Sequence, residues 1–171
     1  MDYSDPIVKS VFSRLGAEPS AKNTLALQYS AVTDVPAAKI WEVLENIEQW
    51  ARWGKPWIER SRWLERRKFE VGARFEQVRR MGFPIGRQVT VETVRELIPG
   101  TSVGWWDSEG GIRCCRFWNV ETQSDGQTKV TSTEVFVGPL IFLGQLLIRR
   151  RWRRLNENLV NGLIELAKRN I

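Results

Sequence analysis

The chain has 171 residues, of which 42% are hydrophobic and 27% charged, and its formal net charge is +6 at pH 7. These values are typical of one globular domain with a sizeable core, and the charge predicts a basic surface without determining the fold. The chain contains no histidine, which excludes the commonest general base and metal ligand.

The cysteines and tryptophans constrain the class of protein further. Cys114 and Cys115 are the only cysteines, and their adjacency excludes both CxxC zinc spacing and a disulfide framework. On a strand they would point to opposite faces, and we expect reduced thiols in a cytoplasmic protein that needs neither cofactor nor metal. Nine tryptophans predict a core lined with aromatic rings. Neither a secretory signal nor a membrane-spanning segment is expected.

Residues 1–23 predict an N-terminal extension that carries one short amphipathic helix over Ser4–Gly16. Asp5 is suited to cap this helix, Pro6 to occupy its first position, and Gly16 to end it. A helix of this length is unstable alone. We therefore expect it to dock on the domain, and contact with a partner or a membrane is the alternative.

Residues 24–171 predict a single domain that begins with a strand and two short helices. The strand covers Thr24–Thr33, where apolar and polar residues alternate. Asp34 or Pro36 is suited to open the first helix, and the second ends before Gly54.

Six further strands follow, and Gly, Pro and Asp residues separate them. Short connections of this kind indicate an antiparallel meander. The predicted strands are Ile58–Arg66, Ala73–Met81, Ile85–Leu97, Ser102–Asp107, Ile112–Gln123 and Lys129–Val137.

The last segment, Leu140–Asn170, predicts one long helix that contains the run "IRRRWRRLNENL". At 3.6 residues per turn, Trp152 lies at the centre of an apolar stripe with Ile148, Leu155, Leu159, Leu163 and Leu166. Arg150, Arg153 and Arg154 fall on the far side. The run therefore predicts a solvated helix face, with peripheral contact to an anionic membrane as its possible role, and we expect no binding of nucleic acid.

The order of these elements resembles the START/Bet v 1-like (SRPBCC) superfamily, in particular its polyketide cyclase/dehydrase-type members. The resemblance covers about Leu25 to Ala167 and rests on several segments in order: "DVPAAKIWEVLENIEQWARW", "FEVGARFE", "VRELIPGTSVGWW", "GGIRCCRFWNVE" and "DGQTKVTSTEVFVGPL". It implies an α+β helix-grip fold, in which a curved antiparallel sheet of about seven strands wraps around the long C-terminal helix. It also implies an apolar cavity between sheet and helix that binds a lipid or polyketide-like molecule.

Two pairings of the last hairpin are open. A two-residue loop at Asp125–Gly126 pairs Trp118 with Thr133, whereas a three-residue loop pairs Trp118 with Glu134. The resemblance favours the second, which directs four side chains toward the helix: Arg116, Trp118, Glu134 and Phe136.

The expected ligand-binding residues are aromatic, and the alternative for each is a plain core position. The set is Trp41, Trp63, Phe75, Trp105, Trp118, Phe136 and Trp152.

A carrier or sensor of a hydrophobic ligand is favoured over an aromatase/cyclase or dehydratase. In the enzyme, Arg116 would stabilise a developing enolate and Glu134 would act as acid or base.

Overall fold

The computed structural model describes residues 24–65, 69–83, 86–107, 113–138 and 141–170, together with Lys9, Val11 and Ser13. Its centre is one antiparallel sheet of seven strands: β1 (Thr24–Thr33), β2 (Ile58–Trp63), β3 (Arg74–Gly82), β4 (Gly86–Ile98), β5 (Ser102–Asp107), β6 (Arg113–Thr122) and β7 (Thr128–Val137). The strand order is β1-β7-β6-β5-β4-β3-β2. The predicted meander is therefore confirmed, with β1 added at one edge beside β7.

Within residues 24–170, the described helices are α1 (Ala37–Glu45), α2 (Trp50–Trp53) and α3 (Ile141–Arg169), with a short 3-10 turn at Ile47–Gln49. The long α3 packs on β1 and β7 and also contacts α1 and α2. We call the sheet face that α3 covers the inner face. This arrangement confirms the predicted α+β helix-grip fold. Strand β2 ends at Trp63, three residues before its predicted end at Arg66.

The two sides of α3 follow the helical projection. Trp152 is buried with Leu155, Leu159, Leu163 and Leu166, whereas Arg150, Arg153 and Arg154 are exposed. Burying each large apolar side chain contributes roughly 1.5–3 kcal/mol, so the stripe holds the helix on the sheet. The side chain of Ile148, predicted on the same stripe, lies outside the described residues.

Close packing fixes the second half of α3 against α2. A Cβ added at Gly162 would lie 2.1 Å from the backbone oxygen of Trp53. Because no real side chain tolerates that distance, only glycine lets the two helices approach so closely.

The outer face of the sheet carries a second, smaller cluster. Ala26, Phe117 and Val135 are buried there together with Val11, which is 2% exposed. Val11 therefore packs on the sheet. Most of the helix predicted over Ser4–Gly16 lies outside the described residues.

Candidate functional site

The register of β6 and β7 decides which polar side chains meet on the inner face. Trp118 lies opposite Ser132, and Arg116 lies opposite Glu134. Both sequence-derived registers, which paired Trp118 with Thr133 or with Glu134, are wrong. The true register differs from the second by two residues. Because side chains alternate with a period of two, such a difference leaves the same side chains on the same face.

The loop between β6 and β7 explains this error. Five residues, Gln123–Gln127, connect Thr122 to its partner Thr128. The Gln123 N–H donates to the Gln127 carbonyl at 2.7 Å, and the Gln127 N–H donates to the Asp125 carboxylate at 3.0 Å. Asp125 and Gly126 therefore form the tip of a longer loop rather than a two-residue turn.

Arg116 and Glu134 form an ion pair inside the protein. The Arg116 Nη2 and Glu134 Oε2 atoms are 2.5 Å apart, and the two side chains are 4% and 0% exposed. Such a pair is stable only while both charges are present, because removal of one leaves a buried charge without compensation. Among the described residues, Arg116 Nε has no hydrogen-bond partner.

Cys114 borders this pair. Its Sγ donates to Glu134 Oε1 at 3.5 Å. Burial raises the pKa of the Cys114 thiol well above its usual value, and the Glu134 carboxylate raises that pKa further. The thiol is therefore protonated at neutral pH and is a poor nucleophile. Its neighbour Cys115 belongs to the outer cluster, which confirms that the two cysteines point to opposite faces.

Helix α3 supplies polar groups above the ion pair. Asn156 is 1% exposed, and its Oδ1 accepts a hydrogen bond of 3.2 Å from Ser132. One turn earlier, the ring of Trp152 packs edge-on against Phe136, with the centroids 5.4 Å apart. Ser132, Glu134 and Phe136 alternate along β7, so Glu134 lies between these two contacts. Within the described part of the chain, Asn156 Nδ2 and Trp152 Nε1 have no hydrogen-bond partner.

Aromatic rings surround the polar groups. Phe75 is 5.6 Å from Trp105 and 5.7 Å from Trp63, measured between ring centroids. Trp118 packs edge-on against Trp53 at 5.9 Å. The seven aromatic residues expected to bind ligand all belong to, or pack against, one inner cluster: Trp41, Trp63, Phe75, Trp105, Trp118, Phe136 and Trp152.

Trp41 has its own polar and aromatic partners. Its Nε1 donates to Glu45 at 2.6 Å, and its ring packs edge-on against Phe69 at 5.7 Å. Its N–H and its ring are thus both engaged by other side chains.

A second polar network, which the sequence analysis did not anticipate, lies on β3 and β4. Arg79 Nη2 contacts Glu92, and Arg79 Nε donates to Gln77. Thr90 Oγ1 also donates to Glu92, at 3.1 Å. Gln77 Nε2 in turn donates to Ser61 at 3.4 Å. Both of these Arg79 nitrogens and the Glu92 carboxylate are thus engaged, in contrast to the pair on β6 and β7.

Asn156 is the polar residue that the sequence analysis missed although a signal was present. It lies about 40° from Trp152 around the helix, within the apolar stripe rather than outside it. An amide in such a position needs partners on the sheet. Gln77 and Arg79 lie between the buried Phe75 and Met81 on one face of β3. Two polar residues on that apolar face were the equivalent signal for the second network.

Two of the surface clefts are lined by residues that the structure describes. One has a volume of about 520 Å³ and is lined by Glu42, Glu45, Asn46, Glu48, Trp63 and Phe69. The other has a volume of about 340 Å³ and is lined by Val32, Thr33, Asp34, Val35, Gln127 and Lys168. Neither lining includes Arg116, Glu134 or Asn156, so the internal cavity remains a prediction.

The fold and the order of its segments agree with a known family. Residues 24–168 match the family model of polyketide cyclase/dehydrase and lipid transport proteins. The chain belongs to this family. The predicted SRPBCC superfamily is thereby confirmed. No curated protein sequence matches the chain.

Solved structures of this family's fold resemble the chain at low sequence identity. The Zhui aromatase/cyclase from Streptomyces sp. R1128 is 16% identical with a TM-score of 0.67, over 85% of this chain and 94% of that one. A protein from Thermus thermophilus is 16% identical with a TM-score of 0.70, over 85% and 99%. A protein from Nitrosomonas europaea is 19% identical with a TM-score of 0.63, over 91% and 100%. These likenesses show the fold.

None of the described helices combines the length and the apolar character that crossing a bilayer requires.

Proposed function

We propose that this polyketide cyclase-family chain binds a hydrophobic small molecule between the inner face of the sheet and α3. The observation that carries the proposal is the set of buried polar side chains around the Arg116–Glu134 ion pair. Buried donors on Arg116, Trp152 and Asn156 have no partner among the described residues, and Trp118, Phe136 and Trp152 of the inner aromatic cluster lie on the same strands and helix. An apolar site with a few convergent polar groups is the usual form of a small-molecule site.

The charges favour binding over chemistry. Arg116 and Glu134 neutralise each other at 2.5 Å, so the site presents hydrogen-bond donors without a net charge. The nearby Cys114 thiol is protonated, because burial raises its pKa. A neutral, largely apolar ligand such as a lipid or polyketide-like molecule suits these properties.

The second candidate function is an aromatase/cyclase or dehydratase. The similar structures include the Zhui aromatase/cyclase and the di-domain ARO/CYC BexL. In this mechanism, a substrate carbonyl displaces Glu134 from Arg116, the guanidinium stabilises the developing enolate oxygen, and the released carboxylate moves the proton. The observation that favours it is the direct pairing of Arg116 with Glu134.

Native mass spectrometry of gently purified protein tests the binding function. We expect a copurified hydrophobic molecule, or uptake of one from a panel of fatty acids, sterols and aromatic polyketides. Protein that takes up nothing from the panel would contradict both candidate functions.

Glu134→Gln separates the two functions, because it keeps the shape and removes the carboxylate. If the protein is a carrier, Glu134→Gln should bind the ligand more weakly, and the wild type should leave polyketide substrates unchanged. If the protein is an enzyme, Glu134→Gln should still bind the substrate but fail to turn it over. Glu121→Gln, at an exposed position on the neighbouring strand β6, is the matched control.

We also propose peripheral contact with an anionic membrane on the cytoplasmic side, through Arg150, Arg153 and Arg154. These side chains are exposed, and within the described residues they have no ion-pair partner. Each basic residue near an anionic surface contributes about 1 kcal/mol to binding.

A further inference from the structure

The hairpin between β3 and β4 exposes an aromatic side chain. Phe83, directly after β3, is 92% exposed, the largest value among the exposed large apolar residues described. A single exposed apolar residue is ordinary on a protein surface. It becomes informative where its surroundings are also suited to a partner.

Helix α3 holds this hairpin in place. Arg151 Nη1 donates to the Phe83 carbonyl at 2.8 Å, and the guanidinium lies 5.6 Å from the centre of the Trp57 ring. Gly82 has φ +65, and a Cβ there would lie 1.9 Å from Arg151 Nη2. The guanidinium thus packs against the Gly82 backbone, whose positive φ favours glycine, and its hydrogen bond to the Phe83 carbonyl holds Phe83 beside α3.

Two further arginines of α3 lie next to this position. Relative to Arg151, Arg154 is rotated by about 60° around the helix and Arg150 by about 100°, whereas Arg153 is rotated by about 160°. Among the described residues no ion pair involves Arg150 or Arg154, and both are exposed.

The arginines on the hairpin itself, unlike Arg150 and Arg154, have an ion-pair partner. Arg80 and Arg87 share the carboxylate of Glu59 at 2.9 and 3.4 Å. The hairpin therefore adds no acidic excess that would repel an anion from α3.

We propose that Phe83, Arg150 and Arg154 form one docking surface for an anionic lipid bilayer, which we call the hairpin–helix surface. Phe83 enters the boundary between headgroups and acyl chains, and the two arginines contact lipid phosphates. An apolar side chain beside accessible cations suits a lipid surface. Duplex DNA would use the cations alone.

The inference rests on the proposed membrane contact and makes it specific. It assigns the apolar anchor, and it selects Arg150 and Arg154 over Arg153. The surface also adjoins the candidate site, because Arg151 and Trp152 are consecutive residues of α3 and the latter packs on Phe136.

Cosedimentation with vesicles tests the apolar anchor. We compare vesicles of phosphatidylcholine alone with vesicles that also contain phosphatidylserine. Phe83→Ser should weaken binding to the anionic vesicles about tenfold, since it removes the burial of one large apolar side chain. Ile98→Ser is the matched control, because Ile98 is 53% exposed at the opposite end of β4 and should not affect binding.

The arginines give the second comparison. Arg154→Glu should weaken binding to the anionic vesicles at least about fivefold. High salt should abolish this difference between the variant and the wild type. Arg153→Glu, a charge change of equal size on the side of the helix away from Arg151, should have a much smaller effect. Circular dichroism checks that each variant is folded.

Several outcomes would overturn the inference. Equal losses for Arg153→Glu and Arg154→Glu, or an unchanged Phe83→Ser variant, would reduce the interaction to diffuse charge. Binding to duplex DNA without binding to vesicles would replace the bilayer with nucleic acid. Wild-type protein that ignores vesicles but takes up a hydrophobic molecule would overturn the membrane contact and leave the ligand function intact.

Discussion

Among the described residues, two ion pairs are buried on the inner face of the same sheet, and they differ in how completely their polar atoms are bonded. The pair on β3 and β4, Arg79 and Glu92, also bonds Gln77 and Thr90. The pair on β6 and β7, Arg116 and Glu134, leaves Arg116 Nε without a partner among the described residues.

The difference separates stability from function. Burial of charge is costly, and a network offsets the cost only when its polar atoms are bonded. The saturated network therefore has the properties of a structural feature. The open pair, with Asn156 and Trp152 above it, retains hydrogen-bonding capacity that a ligand is able to use.

The largest expected effect is on the saturated network. Glu92→Gln should lower the free energy of unfolding by about 3–5 kcal/mol, because it leaves Arg79 buried without a counter-charge. Urea denaturation measures the change. Glu134→Gln also breaks two contacts, but one of them is the weak thiol hydrogen bond from Cys114, whereas Glu92 accepts a hydroxyl hydrogen bond from Thr90. Glu134→Gln should therefore cost less.

A double variant controls for the loss of charge. Replacement of the pair by apolar residues, with Arg79→Met and Glu92→Leu together, should restore much of the lost stability. If Glu92→Gln costs less than Glu134→Gln, the distinction between the two pairs fails.

An intermediate effect is expected at Asn156. Asn156→Leu removes the Nδ2 donor and should weaken binding of the copurified hydrophobic molecule about threefold to tenfold, the equivalent of one hydrogen bond. Isothermal titration calorimetry measures it. Ser132→Ala breaks the hydrogen bond between Ser132 and Asn156 but leaves Nδ2 in place, so its affinity should stay near that of the wild type. Equal losses in both variants would assign Asn156 a purely structural role.

The smallest effect concerns the pH dependence of stability. The pKa of the Cys114 thiol is raised in the folded protein by burial and by Glu134. The folded state then holds the proton more tightly than the unfolded chain, whose thiols titrate near about pH 8.5. The stability contribution is therefore complete below about pH 8 and is lost as the pH rises toward the folded pKa.

Denaturation between about pH 7 and 10 checks this expectation. The wild type should lose stability more steeply above about pH 9 than Cys114→Ala. Glu134→Gln keeps the burial and removes the carboxylate, so its slope should lie between the two. A wild-type slope equal to that of Cys114→Ala would show that the thiol does not contribute.

Local patterns were sufficient for the elements but not for their pairing. The apolar stripe of α3 was predictable because side chains three and four positions apart share a helix face whatever the rest of the chain does. The β6–β7 register was not predictable from Asp125 and Gly126, because the hydrogen bond from Gln123 to Gln127 closes a longer loop. The inward face of Arg116 and Glu134 survived this error only because the register changed by an even number of residues.

The sequence by itself determined the fold class, the order of the elements, and the division of the arginine run into a buried Trp152 and an exposed Arg150, Arg153 and Arg154. The elements and the two sides of the arginine run depend on periodicities within single elements, whereas the fold class is what the resemblance of their order to the SRPBCC superfamily implies. Only the tertiary structure decided that Arg79 meets Glu92, that Asn156 meets Ser132, and that Arg151 meets Phe83. Those contacts join residues on different elements, and they depend on sheet order, strand register and the position of α3, which no local period encodes.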